Sequence, residues 1–297
     1  MVNLNVFDKV HNFSRKYPRF SHLFYFLYPM VLKAEIKEYK NIRNNLLSKY
    51  PNGLLVDLSK DLNLRKLNFK FHFNFYFYDD ALLYYLLRNG NVYEEETTNY
   101  LLKNLDSESN FLDVGANIGY YTFLSASIAK EGEIISVEAN PELSEHLEEN
   151  KEINDFSNVK IFNNAAWDRT EVLELNFDEV LLAHGSIINK SFAKKVKVNA
   201  IPLDTILSNK RIDLIKMDIE GSEYKAINGL HETIVTSKPK IVVEFNSGYD
   251  VKSLVDSIED FYNYYTIDKN GDVHTTNTDY LLSLKNTHLN VVLIKNS

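Results

Sequence analysis

Residues 111–122 read Phe-Leu-Asp-Val-Gly-Ala-Asn-Ile-Gly-Tyr-Tyr-Thr. Four mainly apolar residues run into Gly115 and Gly119, and a helix-forming segment follows. A short apolar run that meets glycines and then a helical pattern is the start of a βαβ unit, because glycine lets the chain turn tightly and approach a ligand or a neighbouring helix. A dinucleotide-binding turn needs a third glycine between these two, to bring backbone against a pyrophosphate. Asn117 occupies that place and argues against NAD or FAD. A ligand without phosphate, with an amino-acid end and a ribose, suits a turn preceded by Asp113 and containing an amide.

Working outward, short β-rich runs alternate with helical ones. Strands are predicted at 111–114, 133–137, 159–163, 213–217, 241–245 and 288–294. Helices are predicted at 120–130, 141–150, 224–230 and 251–260. Such alternation predicts an α/β fold with a parallel sheet covered on both faces by helices. Two further β-rich runs, 172–177 and 195–201, interrupt it. In an open sheet the ligand lies beyond the carboxyl ends of the strands, so the residues just after each strand are the candidates for chemistry.

About twenty residues after the glycine turn, Glu138 closes the second strand. A carboxylate there can accept hydrogen bonds from both ribose hydroxyls, while alone it would read as a surface acid. Asn163 to Asp168 follow the third strand, where an adenine site and a plain Asn-rich turn are both open readings. The sole tryptophan, Trp167, reads as core. Asp218 and Glu220 follow the fourth strand and share a face if that strand continues. Glu244 closes the fifth.

Crowded like charges raise carboxyl pKa values, as a general base near neutral pH requires. Helix capping would equally account for acids at a helix start. Asp218, Glu244 and Asn246 also form a hard-oxygen set suited to Mg²⁺, although no spacing is diagnostic and solvated acids describe them as well. His184, in the loop after the third strand, is a further candidate base or an exposed loop histidine.

The 297 residues, 44% hydrophobic and 25% charged, exclude a disordered or collagen-like chain, and the absence of cysteine excludes disulfides and thiolate chemistry. The net charge is −8, yet residues 1–50 hold nine Lys or Arg against three Asp or Glu. This basic, aromatic, helix-forming head suits either an anionic membrane surface or a cap and homo-oligomer contact. The acidic remainder argues against nucleic acid as substrate. The apolar run 23–32 is half the length of a membrane-spanning helix, and no secretion signal opens the chain, so a cytoplasmic protein is expected. From Phe69 to Phe77, phenylalanine at every second position predicts a half-buried strand. A helix with acids in its first turn is predicted over 94–105.

The stretches FLDVGANIGYYT (111–122), ISVEANPE (135–142), NNAAWD (163–168), IDLIKMDIEGSEYKAINGL (212–230) and KPKIVVEFN (238–246) together resemble the FkbM-family methyltransferases, which use S-adenosylmethionine. The resemblance runs from about residue 90 to 295. It implies a Rossmann-like class I methyltransferase fold with a seven-stranded, mostly parallel sheet whose last strand is antiparallel. It also implies methyl transfer, usually to a hydroxyl oxygen of a sugar, polyketide, glycan or other small acceptor. By motif position, Asp113, Gly115, Asn117, Gly119 and Thr122 would hold the methionine end of the donor. Glu138 with Ala139 would hold the ribose, and Asn164 with Ala165 the adenine. Asp218 and Glu220 fall on the family's acidic signature, with Glu244 and His184 as further candidates for catalysis. On this reading residues 1–90 form an N-terminal extension and 91–297 the methyltransferase domain. The rival readings are a nucleotide-dependent oxidoreductase and a degenerate methyltransferase fold acting as a binding scaffold.

Overall fold

The computed structural model describes residues 54–62, 65–73, 92–177, 185–186, 194–246, 250–258, 261–283 and 288–296, together with the isolated Ser48. The helices expected over 1–50 and the phenylalanine positions 75 and 77 lie outside the described residues. The chain divides into two compact units, residues 1–53 and 54–297. All that follows concerns the second.

In chain order its main elements are α1 (Glu95–Asn104), β1 (Phe111–Val114), α2 (Tyr120–Ile128), β2 (Ile134–Val137), α3 (Pro141–Ile153), β3 (Val159–Phe162), α4 (Asp204–Leu207), β4 (Leu214–Met217), α5 (Glu223–Asn228), α6 (His231–Ser237), β5 (Lys240–Asn246), α7 (Val251–Ile258), β6 (Tyr262–Ile267), β7 (Val273–Thr275), α8 (Thr278–Ser283) and β8 (His288–Lys295). The strands form one sheet in the order β7-β6-β8-β5-β4-β1-β2-β3. From β3 to β5 every pairing is parallel, and β8 inserts antiparallel between β5 and β6. This is the expected seven-stranded pattern with its last strand antiparallel, extended by the short edge strand β7, which pairs antiparallel with β6. Strand β6 was not anticipated: its sequence Tyr-Asn-Tyr-Tyr-Thr-Ile carries polar residues because it lies near the sheet edge.

The central strands are short and β-branched or apolar, as strands covered on both faces must be. Leu112, Val114, Ile135, Val137, Ile215, Met217, Ile241 and Val243 form one buried layer with residues of α4 to α8. The alternate positions face α2, and there the sheet breaks its own rule. Ser136, Asp113 and Lys216 are directly opposed across β2, β1 and β4, and all three are buried. The Thr122 hydroxyl of α2 closes this polar row, donating to Asp113 Oδ2 at 2.6 Å and lying 3.2 Å from Ser136 Oγ. Helix α3 starts where Asn140 caps the Glu142 N–H at 3.0 Å and Pro141 occupies the first turn, a pairing that supplies an acceptor and a preset φ.

Two appendages flank the sheet. Glu171–Phe177 and Lys194–Ile201 pair antiparallel, as the interrupting β-rich runs predicted, and Ala165–Ala166 adds parallel to the latter. Trp167 is buried among Ala165, Leu175, Val198 and Ala200. On the other side, Leu54–Asp57 pairs with Lys70–Phe73. Phe69, Phe71 and Phe73 are buried, which is the alternation read from the sequence. Phe71 meets Phe123 of α2 edge-on at 5.9 Å. The strand's free backbone is taken up by α3 side chains: the His72 N–H donates to Asn150 Oδ1 and the Lys70 N–H to Asn154 Oδ1, both at 2.6 Å. An exposed edge is thereby satisfied without recruiting another chain.

Because Phe71 ties this strand to α2 and α3, Phe71→Ala should lower the stability of the whole sheet unit by about 3 to 5 kcal/mol. Urea unfolding should show a single shifted transition. A loss below about 1 kcal/mol would mean that residues 54–73 fold apart from the sheet.

Candidate functional site

The carboxyl ends of β1, β2, β4 and β5 converge, and the backbone there is unusual. Gly115 (φ 79°), Asn117 (φ 53°) and Gly119 (φ 96°) follow β1, and Glu220 (φ 54°) and Gly221 (φ 102°) follow β4. Left-handed conformations of non-glycine residues cost energy and concentrate where function demands them. At Gly115 the demand is visible, since a Cβ there would sit 2.0 Å from the Asp218 carbonyl oxygen. The turn after β1 and the exit of β4 meet backbone against backbone, with the Ile219 side chain beside them.

Glu138 locks the next piece. Its Oε2 accepts the Asn117 N–H and its Oε1 the Asn140 N–H, both at 2.8 Å. The ribose candidate and the glycine turn are therefore one hydrogen-bonded unit. Burial pushes the Glu138 carboxyl up to about 7, with the two backbone donors pulling the other way. In the same turn the Asn140 Nδ2 is buried without a hydrogen-bond partner, so a polar donor remains available beside the acid. These features suit a ligand that brings hydroxyl and amino groups. Asp113 and Thr122 lie deeper: both are buried, and the Thr122 hydroxyl is committed to Asp113, whose carboxyl burial raises to about 6. Ala139 is half-buried beside Glu138, Ala165 is buried, and the Asn164 Nδ2 lies 3.3 Å from the Asn199 carbonyl.

The acids after β4 divide into distinct roles. Strand β4 ends at Met217, so Asp218 and Glu220 do not share a strand face: the chain turns through left-handed Glu220 first. Nor do they cap α5, whose N-cap is Ser222. The acid that organises this turn is Glu223, which sequence reading passed over. Its Oε1 accepts the Ile219 and Gly221 N–H groups at 3.1 and 3.2 Å, and burial raises its carboxyl to about 7. The Asp218 side chain is 34% exposed and within reach of a ligand.

Behind Asp218 lies a residue no spacing had marked, Lys216. Its side chain is 2% exposed, with Nζ 3.4 Å from Asp218 Oδ2 and 5.6 Å from the Tyr121 ring centroid. The one signal in the sequence was a lysine inside the apolar run Leu-Ile-Lys-Met. Burial opposes its charge, but Asp218, Glu94, Glu244 and Asp113 outweigh burial and hold the ammonium above its usual range. Glu94, read from sequence only as a first-turn acid, instead takes a left-handed conformation at the N-cap of α1. It accepts hydrogen bonds from the Tyr121 hydroxyl at 2.6 Å and Asn290 Nδ2 at 3.1 Å.

A cavity of about 140 Å³ opens here, lined by Glu94, Glu96, Glu244, Ile267, Leu289 and Asn290. Glu244 stands opposite Asn290 across β5 and β8. Burial, then the neighbouring Asp218, pushes its carboxyl up to about 8. Among the described residues no group of three His, Asp or Glu side chains is arranged to hold a metal ion. The Asn246 side chain and His184 fall outside the described residues. Among the described residues, the Lys216 ammonium is a buried cation at this centre.

An open, mostly parallel sheet of this topology, with a glycine turn after its first strand and an acid closing its second, defines a Rossmann-like class I methyltransferase fold. The family model of the methyltransferase FkbM domain matches residues 113–268, and the chain belongs to that family. It is 26% identical over 204 residues to methyltransferase sdnD of Sordaria araneosa, across 56% of this chain and 79% of that protein. The crystal structure of methyltransferase FkbM from Methylobacillus flagellatus KT aligns over 74% of this chain at 18% identity and a TM-score of 0.42. This chain spans only 55% of its length. SMU.1697c of Streptococcus mutans, solved in complex with SAH, aligns over 67% of this chain and 96% of its own at 8% identity and a TM-score of 0.42. Among the described residues no helix is long and apolar enough to cross a membrane.

The buried carboxyls set the response to pH. Asp113, Glu138, Glu223 and Glu244 hold their protons more tightly when folded than ordinary carboxyls do. Their contribution is therefore complete in acid and is lost as pH rises through about 6 to 8. Buried His146, lowered to about 4, acts in the opposite sense, but only below its usual value of 6.5. The thermal midpoint should fall between about pH 6.5 and about pH 8.5. A constant or rising midpoint would contradict these assignments.

Proposed function

We propose that this chain is an S-adenosylmethionine-dependent methyltransferase whose acceptor atom is a hydroxyl oxygen of a sugar, glycan or other small molecule. The observation that carries the reading is the Asn117 N–H to Glu138 hydrogen bond, which makes the glycine turn and the ribose acid one preformed half-site. In this reading Asp113 and the turn 115–119 receive the amino-acid end of the donor, with Thr122 fixing Asp113 from behind. Glu138 and Ala139 take the ribose, and Asn164 and Ala165 border the adenine.

The donor supplies a methyl group on a positively charged sulfur. The chain's own residues align the acceptor and take its proton. The oxygen–carbon bond forms as the carbon–sulfur bond breaks, the electron pair stays on sulfur, and the hydroxyl proton passes to the Asp218 carboxylate. Positioning of this kind is worth several kcal/mol, and a base typically adds about 10² to 10⁴-fold. Glu220 and Glu244 flank Asp218 as positioning groups. The cavity beside them is lined by three carboxyl groups, two of which hold their protons more tightly than usual, and such groups exchange hydrogen bonds with hydroxyls while offering phosphate no cation. That lining supports a small hydroxylated acceptor over nucleic acid. The degenerate-scaffold alternative is not favoured, because turn, acid and cavity are all formed.

Calorimetric titration with S-adenosylhomocysteine should give a dissociation constant of roughly micromolar order, about −8 kcal/mol. Glu138→Ala should weaken it at least tenfold through loss of two charge-assisted hydrogen bonds. Absence of binding at millimolar ligand would remove the donor reading. With a tritiated-methyl donor and a panel of hydroxylated acceptors, Asp218→Asn should keep donor affinity within a few-fold while turnover drops at least tenfold. Unchanged turnover would take Asp218 out of the mechanism.

A further inference from the structure

Lysine is among the residues least often buried, and a buried cation is tolerated only where counter-charges replace its water. Lys216 stands at the middle of the sheet, and the groups around it come from five separate elements. Asp113 is its direct cross-strand partner on β1. Asp218 lies just past the end of its own strand, with Oδ2 3.4 Å from Nζ. Tyr121 of α2 lays its ring over the ammonium and donates its hydroxyl to Glu94, at the head of α1. Glu244 of β5 completes the set, facing Asn290, which in turn donates to Glu94. Glu94, Asp218 and Glu244 all feel the same ammonium, and two of them line the 140 Å³ cavity.

We propose that Lys216 is the positioning residue of the acceptor side: an internal counter-ion, sealed beneath Tyr121, that fixes the Asp218 carboxylate by an ion pair and is shared by the cavity carboxylates Glu94 and Glu244. The inference rests on the reading of this cavity as the acceptor side of a methyltransferase. Its geometry has a direct consequence. The cavity walls are acidic and crowded, and Glu94 and Glu244 already hold their protons more tightly than usual. Without the ammonium they would hold them more tightly still, and Asp218 would lose the partner that orients it. Lys216 meets the acceptor side through its ion pair with Asp218, and acts on Glu94 and Glu244 through its charge and through Tyr121, which donates to Glu94.

The test is a carboxyl titration by NMR on the full chain, labelled with ¹³C at Asp and Glu carboxyls and assigned with Glu94→Gln and Glu244→Gln. Lys216→Met should raise the midpoints of Glu94 and Glu244 by at least about one pH unit, a tenfold change in proton affinity, and Lys216→Arg should keep them within about half a unit of the native protein. Unshifted midpoints in folded Lys216→Met would overturn the proposal. A purely packing role predicts that outcome, because methionine preserves the volume. If Lys216→Met alone does not fold, Lys216→Met/Asp218→Asn, which removes both halves of the pair, is compared with Asp218→Asn. A higher Glu94 midpoint in the double variant supports the proposal, and equal midpoints overturn it. Calorimetry with S-adenosylhomocysteine on the same samples separates the two readings. Lack of binding by the native chain is a failure of the methyltransferase assignment, whereas donor binding with uncoupled carboxyls is a failure of the Lys216 assignment alone.

Discussion

A charged lysine in the fourth strand of a sheet covered on both faces is the constraint around which the working edge is arranged. Removing an ammonium from water is affordable only with opposite charge and aromatic cover close by. Both are present, and they come from segments far apart in the chain: Glu94, Asp113, Tyr121, Asp218 and Glu244. The polar row Ser136, Asp113, Lys216 runs straight across three strands, under a helix that contributes a threonine hydroxyl at one point and a tyrosine ring at the next. A core face built wholly from valine and isoleucine would be more stable and would have no chemistry to offer.

Backbone geometry at the strand ends serves the same edge. Gly115 lies against the Asp218 carbonyl so closely that no side chain fits between them. Asn117 and Glu220 accept left-handed conformations, and the strain is offset by carboxylates that collect the exposed N–H groups: Glu138 for the turn after β1, Glu223 for the turn after β4. Each turn is thus held by an acid whose burial raises its affinity for a proton. The turns and the acidic cavity use different carboxyls, Glu138 and Glu223 in the turns against Glu94, Glu96 and Glu244 around the cavity.

Much of this was legible in sequence. The strand-turn-helix at 111–122, the strands read at 133–137, 213–217 and 241–245, and the phenylalanine alternation read from 69 to 77, of which 69–73 is described, follow from local periodicity and glycine placement, which short stretches of chain encode by themselves. Glu138 was legible because its distance from the glycine turn is set by the length of one βα unit. The shared face of Asp218 and Glu220 was conditional on the strand continuing, and β4 ends at Met217, opposite the end of β1 at Val114, although β5 runs on to Asn246.

What the sequence by itself determined is the order of elements, the glycine turn, the acid that closes the second strand and the family to which the chain belongs. Only the tertiary structure decided that Lys216 is a buried counter-ion, that Glu94 belongs to the site and not merely to a helix start, and that Asn290 faces Glu244 across two antiparallel strands. The reason is physical: local pattern is written in neighbours a few residues apart, whereas electrostatic partnership depends on distance in space. Glu94 and Asn290, 196 residues apart in the chain, meet at 3.1 Å.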